Sequence, residues 1–144
     1  MNNTKDFSIV YSNNNYVHSE LTEKIIKEAF HVHRTLGYGF LEKVYENSLR
    51  KRLVECGFKV KQQEPIKVKF EGEVVGEYFS DLLVENTVII ELKSIEKLIP
   101  IHEVQLVNYL KATSIEVGLL LNFSHVLEIK RKIYSKNSIH KSQR

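Results

Sequence analysis

At 144 residues the chain has the usual size of a single domain, so one hydrophobic core is expected. Hydrophobic residues make up 42% and charged residues 27%, which is average globular usage and excludes a disordered or fibrous class. No apolar run approaches the roughly 20 residues that cross a bilayer, and the first residues lack a signal-peptide core. We therefore expect a cytoplasmic protein without a membrane partner. The single cysteine, Cys56, excludes an internal disulfide and is expected to be a small buried filler.

The charge distribution says more than the net charge of +3, which permits a polyanionic partner without requiring one. After His125 the only acidic residue is Glu128, while basic residues accumulate towards Arg144. This basic end either follows a phosphate backbone or is a solvated tail, and the sequence leaves both interpretations open.

Two amphipathic helices are predicted in the first half of the chain. Residues 1–18 show no sustained period and are expected to form a flexible leader. From Glu20 the apolar residues recur every three or four positions as far as Gly37, which predicts a helix. The same spacing predicts a second helix from about Phe40 to Cys56, with Gly57 as its stop signal.

The period then changes to the alternation that is typical of strands. Two half-exposed strands are predicted at 58–61 and 66–70, with Pro65 as a break between them. Longer and more apolar strands follow at 74–84 and 88–92, and the intervening residues predict a hairpin centred on Asn86.

The last third of the chain predicts one helix and one buried strand. Pro100 opens the helix, and residues 117–123 have the continuous apolarity of a strand that is buried on both faces. The segment 127–134 is short and ambiguous. The order predicts an α/β fold in which helices pack on a mixed sheet, with one domain over residues 19–134 and a basic tail over 135–144.

The predicted hairpin carries charges that buried strands normally lack. Asp81 lies on its first strand, and Glu91 and Lys93 lie on its second. Strand side chains alternate between faces, so Glu91 and Lys93 point the same way. With the turn at Asn86, Asp81 lies opposite Glu91, with Cβ atoms roughly 5 Å apart. Two carboxylates and an ammonium would then share one patch.

Two carboxylates this close repel each other unless a proton or a cation lies between them. An incomplete set of hard oxygen ligands suits magnesium, which keeps several waters and accepts substrate phosphate. Lys93 would then orient an attacking water or neutralise charge in the transition state of phosphodiester hydrolysis. The alternative is that Glu91 and Lys93 form a solvent-facing pair and Asp81 is a chance neighbour.

A second motif connects this patch with a known family. The segment Gly39-Phe-Leu-Glu42-Lys-Val-Tyr45 resembles the signature of the GxxExxY proteins, a family assigned to the PD-(D/E)XK nuclease superfamily. The resemblance extends from about Leu21 to Ile133. It includes the strands with Asp81 and Glu91-Leu-Lys93. Ser80 stands where the superfamily name has Pro.

The resemblance implies a restriction-endonuclease-like αβββαβ core and assigns roles to individual residues. It implies metal ligation by Asp81, Glu91 and the backbone carbonyl of Leu92. It implies that Lys93 is the catalytic lysine and that Glu42 is a helix-borne acid, which reaches the metal directly or through water. Gln105 and Tyr109 resemble the Gln-x-x-x-Tyr element that supports such sites from the next helix, although both residues would also fit a purely structural role.

Two functions from different classes remain at this point. One is a nuclease that uses magnesium, with manganese as a substitute, to hydrolyse DNA; a homodimer would let so small a domain address both strands. The other is a catalytically silent module of the same fold that binds nucleic acid or a protein partner.

Overall fold

The two predicted helices pack side by side and begin the described part of the chain. A computed structural model describes residues 18–135. Helix α1 spans Ser19–Leu36 and helix α2 spans Glu42–Glu55. The backbone of Gly37, with φ 70°, ends α1 in a conformation that favours glycine. Both helix predictions are confirmed, although α2 begins two residues later than expected.

A five-stranded mixed sheet forms the centre of the domain, in the spatial order β1-β2-β3-β4-β5. The pairs β1–β2, β2–β3 and β4–β5 are antiparallel, whereas β3 and β4 run parallel and are connected through helix α3. The predicted fold class is thereby confirmed. The elements span Val60–Phe70 (β1), Glu73–Val84 (β2), Val88–Lys93 (β3), Pro100–Ala112 (α3), Val117–Phe123 (β4) and Leu127–Ile133 (β5).

Helices cover both faces of the sheet and divide the core in two. The first core cluster joins α1 and α2 to one face, and Tyr45 and Phe123 stack at its end with ring centroids 4.5 Å apart. The second core cluster joins α3 to the other face through Leu106 and Leu110. β4 is buried along its whole length, as its continuous apolarity predicts.

Two expectations about the strands need correction. The predicted break at Pro65 is wrong, because β1 continues through this residue, which pairs with Phe79. β1 is an edge strand, where a missing backbone N–H is tolerated. The ambiguous final segment is the second edge strand, β5.

A bend in β1 and β2 changes which face their side chains occupy. Val60 packs against the first core cluster but Ile66, also even-numbered, belongs to the second. Between them Gln63 has φ 54°, a left-handed conformation that is rare for a residue with a Cβ. This residue is skipped in the register of β1 with β2. The outer part of the β1–β2 hairpin therefore turns towards α3.

Some expectations concern segments that the structure does not describe. The predicted leader up to residue 17 and the predicted tail from residue 136 lie outside the described residues. Within residues 18–135, no helix is both long and apolar enough to cross a membrane. The prediction of a buried Cys56 is wrong: the side chain is exposed, with Sγ 3.5 Å from Oε1 of Glu28.

Candidate metal-binding active site

The tight turn at Asn86 brings the two predicted carboxylates together. Glu85 and Asn86 both have positive φ, as the favoured short hairpin turns require, and Val84 pairs with Val88. The ladder continues to Leu82 opposite Ile90. At the next pair, Asp81 and Glu91, side-chain carboxylates accept the hydrogen bonds in place of backbone carbonyls. The amide N–H of Leu92 donates to Oδ2 of Asp81 at 2.8 Å, and the amide N–H of Asp81 donates to Oε1 of Glu91 at 3.3 Å.

The electrostatics of this pair are those of a site that needs a cation or a proton. Burial raises the pKa of Glu91, and the negative charge of Asp81 raises it further, to about 9. The pKa of Asp81 is raised as well, mainly by burial. Near neutral pH the pair therefore retains a proton when no cation is present. A bound cation would take the place of that proton.

Lys93 and Glu42 converge on the same centre from different elements. Lys93 is the last residue of β3. Burial raises the pKa values of Asp81, Glu91 and Glu42, and the positive charge of Lys93 offsets part of that rise. Within residues 18–135 the ammonium of Lys93 forms no ion pair. Glu42 is the first residue of α2, and burial followed by the charge of Asp81 raises its pKa.

The loop before α2 is fixed to the end of β3, which sequence reasoning did not predict. Oγ of Ser94, the residue after Lys93, donates to the carbonyl of Phe40 at 2.7 Å. The hydroxyl of the fully buried Tyr45 donates to the carbonyl of Gly37 at 2.7 Å. Tyr45 is therefore a core residue, as expected, and its role is to hold the loop that positions Glu42.

A second polar network, also missed from the sequence, lies behind Asp81. Nε2 of Gln63 donates to Oδ1 of Asp81 at 3.3 Å and to Oε1 of Glu46 at 2.9 Å. Glu46 is only 2% exposed, and its other oxygen accepts a hydrogen bond from Lys43 at 2.8 Å. Its position one helical turn after Glu42 was the available signal, since residues four apart share a helix face.

Gln105 and Tyr109 both lie on α3. Both line an open groove between α3 and the β1–β2 hairpin. Burial raises the pKa of Tyr109, and the charge of Glu91 adds to this effect, so the phenol lies within electrostatic reach of the site. His102, in contrast, has a structural contact at the start of α3, where its Nδ1 accepts a hydrogen bond from the amide N–H of Ile99.

The protein donors at this centre are few. No group of three or more Asp, Glu, His and Cys side chains within residues 18–135 is arranged to hold a metal ion. The donor set of the hairpin is two hard carboxylates, to which the resemblance adds the Leu92 carbonyl. Such an incomplete oxygen set fits magnesium, which usually keeps several of its waters.

A family model described as the PD-(D/E)XK nuclease superfamily matches residues 19–133. No curated protein sequence matches the chain. The crystal structure of an alkaline exonuclease from Laribacter hongkongensis matches this chain with 15% sequence identity and a TM-score of 0.46. The match covers 65% of this chain and 56% of that chain. The crystal structure of SSO0001 matches with 18% sequence identity and a TM-score of 0.48, and the match covers 86% of this chain and 63% of that chain. The chain thus spans less than two thirds of either structure.

Proposed function

Because the chain belongs to the PD-(D/E)XK nuclease superfamily, we propose that it is a divalent-cation-dependent nuclease that hydrolyses phosphodiester bonds in DNA. The observation that carries the proposal is the pairing of Asp81 with Glu91 at the end of the β2–β3 hairpin, beside the ammonium of Lys93. The assignment to the GxxExxY family within this superfamily stays a prediction.

In this proposal Asp81, Glu91 and the carbonyl of Leu92 hold the cation, for which magnesium is the first choice and manganese a substitute. When bound, the cation supplies polarisation of a phosphoryl oxygen and a water of lowered pKa. Two hydrogen bonds fix the carboxylates before substrate arrives: Asp81 accepts from the Leu92 N–H, and Glu91 accepts from the Asp81 N–H. This reduces the reorganisation needed during the reaction.

Lys93 would stabilise the transition state. Its ammonium, which donates three hydrogen bonds, would orient the attacking water or neutralise the negative charge that develops on the phosphoryl group. Glu42 would act from the start of α2, either as a ligand or through a water. Gln105 and Tyr109 would support the site from α3.

The test compares cleavage by matched variants. Wild-type protein with magnesium or manganese should cut at least one of supercoiled, linear duplex and single-stranded DNA. Asp81→Asn and Lys93→Ala should abolish cutting without changing the thermal midpoint greatly. The exposed Glu77→Gln and Lys97→Ala are the matched controls and should cut like wild type. Cutting that survives both active-site changes would overturn the proposal.

Calorimetry separates the enzyme from a silent module. We expect magnesium binding that is lost in Asp81→Asn, because that change removes a charged ligand. DNA binding without any metal binding or cutting would instead favour the catalytically silent alternative. The predicted homodimer is tested separately by light scattering of the protein with and without duplex DNA.

A further inference from the structure

The groove beside Tyr109 has the chemistry of a binding site for a nucleotide. It encloses about 510 Å³, within the range of about 300–1,000 Å³ that is usual for small-ligand sites. Its walls are α3 and the outer part of the β1–β2 hairpin, which the bend at Gln63 turns towards α3. No acidic residue is among the described residues that line it.

Each wall of this groove contributes one aromatic ring. The rings of Tyr78 and Tyr109 lie 5.6 Å apart, centroid to centroid, at an angle of 41°. Tyr78 remains 50% exposed, so Tyr109 supports its ring while an open face is left for a ligand. Gly76 also lines the groove and places no side chain beside the ring of Tyr78, from which a Cβ at this position would lie 3.6 Å. A flat ring system stacked on Tyr78 is the ligand that this arrangement suits.

Basic and amide side chains surround these rings. Lys69 on β1 and Lys111 on α3 lie on opposite walls, and both are exposed. Lys111 lies over the ring of Tyr134, with Nζ 5.7 Å from the centroid, which restrains its long side chain. Asn108 and Gln105 add amide donors and acceptors. Two cations that flank a pair of aromatic rings complement a phosphate-linked base better than they complement a peptide or a lipid chain.

We propose that this groove binds a nucleotide of single-stranded nucleic acid, with the base stacked on Tyr78 and the flanking phosphates near Lys69 and Lys111. A base within a duplex has its faces covered by its neighbours, so only an unpaired base can stack on the ring. The choice of a polynucleotide rests on the proposed function. Tyr109 lines the groove and lies within electrostatic reach of Glu91, so the strand that the groove holds would lead towards Asp81 and Glu91.

The test measures binding without metal, so that it does not depend on cleavage. A fluorescein-labelled oligothymidylate is titrated in chelator at low salt and followed by anisotropy. Tyr78→Ala should weaken binding about tenfold, the loss expected for one stacked base. Tyr78→Phe should bind like wild type because it keeps the ring. Phe79→Ala is the matched control, since this neighbour is similarly exposed at 48% but points to the opposite face of β2.

Salt dependence and competing ligands complete the experiment. Lys111→Ala should reduce the slope of log affinity against log salt by about 0.7, the value for one phosphate of a single strand. Lys27→Ala, at an exposed position on α1, should leave the slope unchanged. A duplex of equal length should bind without any dependence on Tyr78.

The outcomes distinguish this inference from the proposed nuclease function. Equal affinities of wild type and Tyr78→Ala, or an equal loss in Phe79→Ala, would overturn the groove assignment even if the protein cuts DNA. Single-strand binding that depends on Tyr78 and persists in Asp81→Asn would support the groove even if no cleavage is found. Unchanged thermal midpoints of the variants confirm that each measurement reports on the folded protein.

Discussion

Replacing Glu91 by glutamine tests the electrostatics of the centre most directly. The pKa of Glu91 lies at about 9 because burial and the charge of Asp81 both disfavour its ionised form. The unfolded chain keeps the ordinary value of 4.5, so folding at neutral pH must take up a proton. Protonating an ordinary glutamate at pH 7 costs about 3 kcal/mol. Glutamine keeps the shape and accepts the N–H of Asp81, but it carries no such cost.

The sign of the effect follows from the two pKa values. Below the unfolded value both states are protonated, so Glu91→Gln and wild type should have similar stabilities near pH 4. The wild type then loses stability relative to the variant as the pH rises, and the loss stops growing near pH 9. At pH 7 in chelator the variant should be more stable by about 3 kcal/mol, or roughly 10 °C in midpoint.

The assay is thermal unfolding followed by circular dichroism between pH 4 and 9, in chelator and in magnesium. Magnesium should raise the midpoint of wild type, since a ligand stabilises the state that binds it, and should not raise that of the variant. The exposed Glu23→Gln on α1 serves as the control and should follow wild type throughout. A variant that gains no stability between pH 6 and 8 in chelator would refute the argument that Glu91 is a buried, proton-holding acid.

The remaining predictions concern the metal, the bend and the packing of α3. Magnesium affinity should rise with pH between 7 and 9, by up to about tenfold per unit, because Glu91 must release its proton; calorimetry in two buffers of different ionisation enthalpy counts that proton, and a flat profile would contradict its release. Gln63→Gly should be more stable than Gln63→Ala by about 1 kcal/mol in urea unfolding, because only glycine adopts φ 54° without strain; equal stabilities would argue against strain there. Gly118→Ala should cost about 1–3 kcal/mol, since a Cβ there would lie 2.6 Å from Cδ1 of the buried Leu106. Adding Leu106→Ala should recover part of that loss, so purely additive costs would exclude this contact as the cause.

The residues of the β2–β3 hairpin could be placed from the sequence because their arrangement is local. The turn at Asn86 fixes the register over a few residues, and strand alternation then places Glu91 and Lys93 on one side. The two helices were readable for the same reason, since their apolar period is set within each segment. The superfamily could likewise be named from motifs, and the family model confirms it.

Contacts between distant segments were not predictable in this way. The hydrogen bond from Ser94 to Phe40, the bridge from Gln63 to Glu46, and the groove between α3 and the β1–β2 hairpin each join elements far apart in the chain. The alternation of apolar and charged residues in β1 did not predict the left-handed conformation of Gln63, because the surrounding fold imposes it.

The sequence by itself determined the elements, the hairpin register and the paired carboxylates with their lysine, because each depends on backbone periodicity and a short turn. The tertiary structure alone decided how deeply Glu91 is buried, and therefore that its pKa rises to about 9. It also decided that Glu42 lies within electrostatic reach of Asp81 and that a groove forms between α3 and the β1–β2 hairpin. Burial and electrostatic coupling depend on what surrounds a group in three dimensions, and the spacing of residues along the chain does not contain that information.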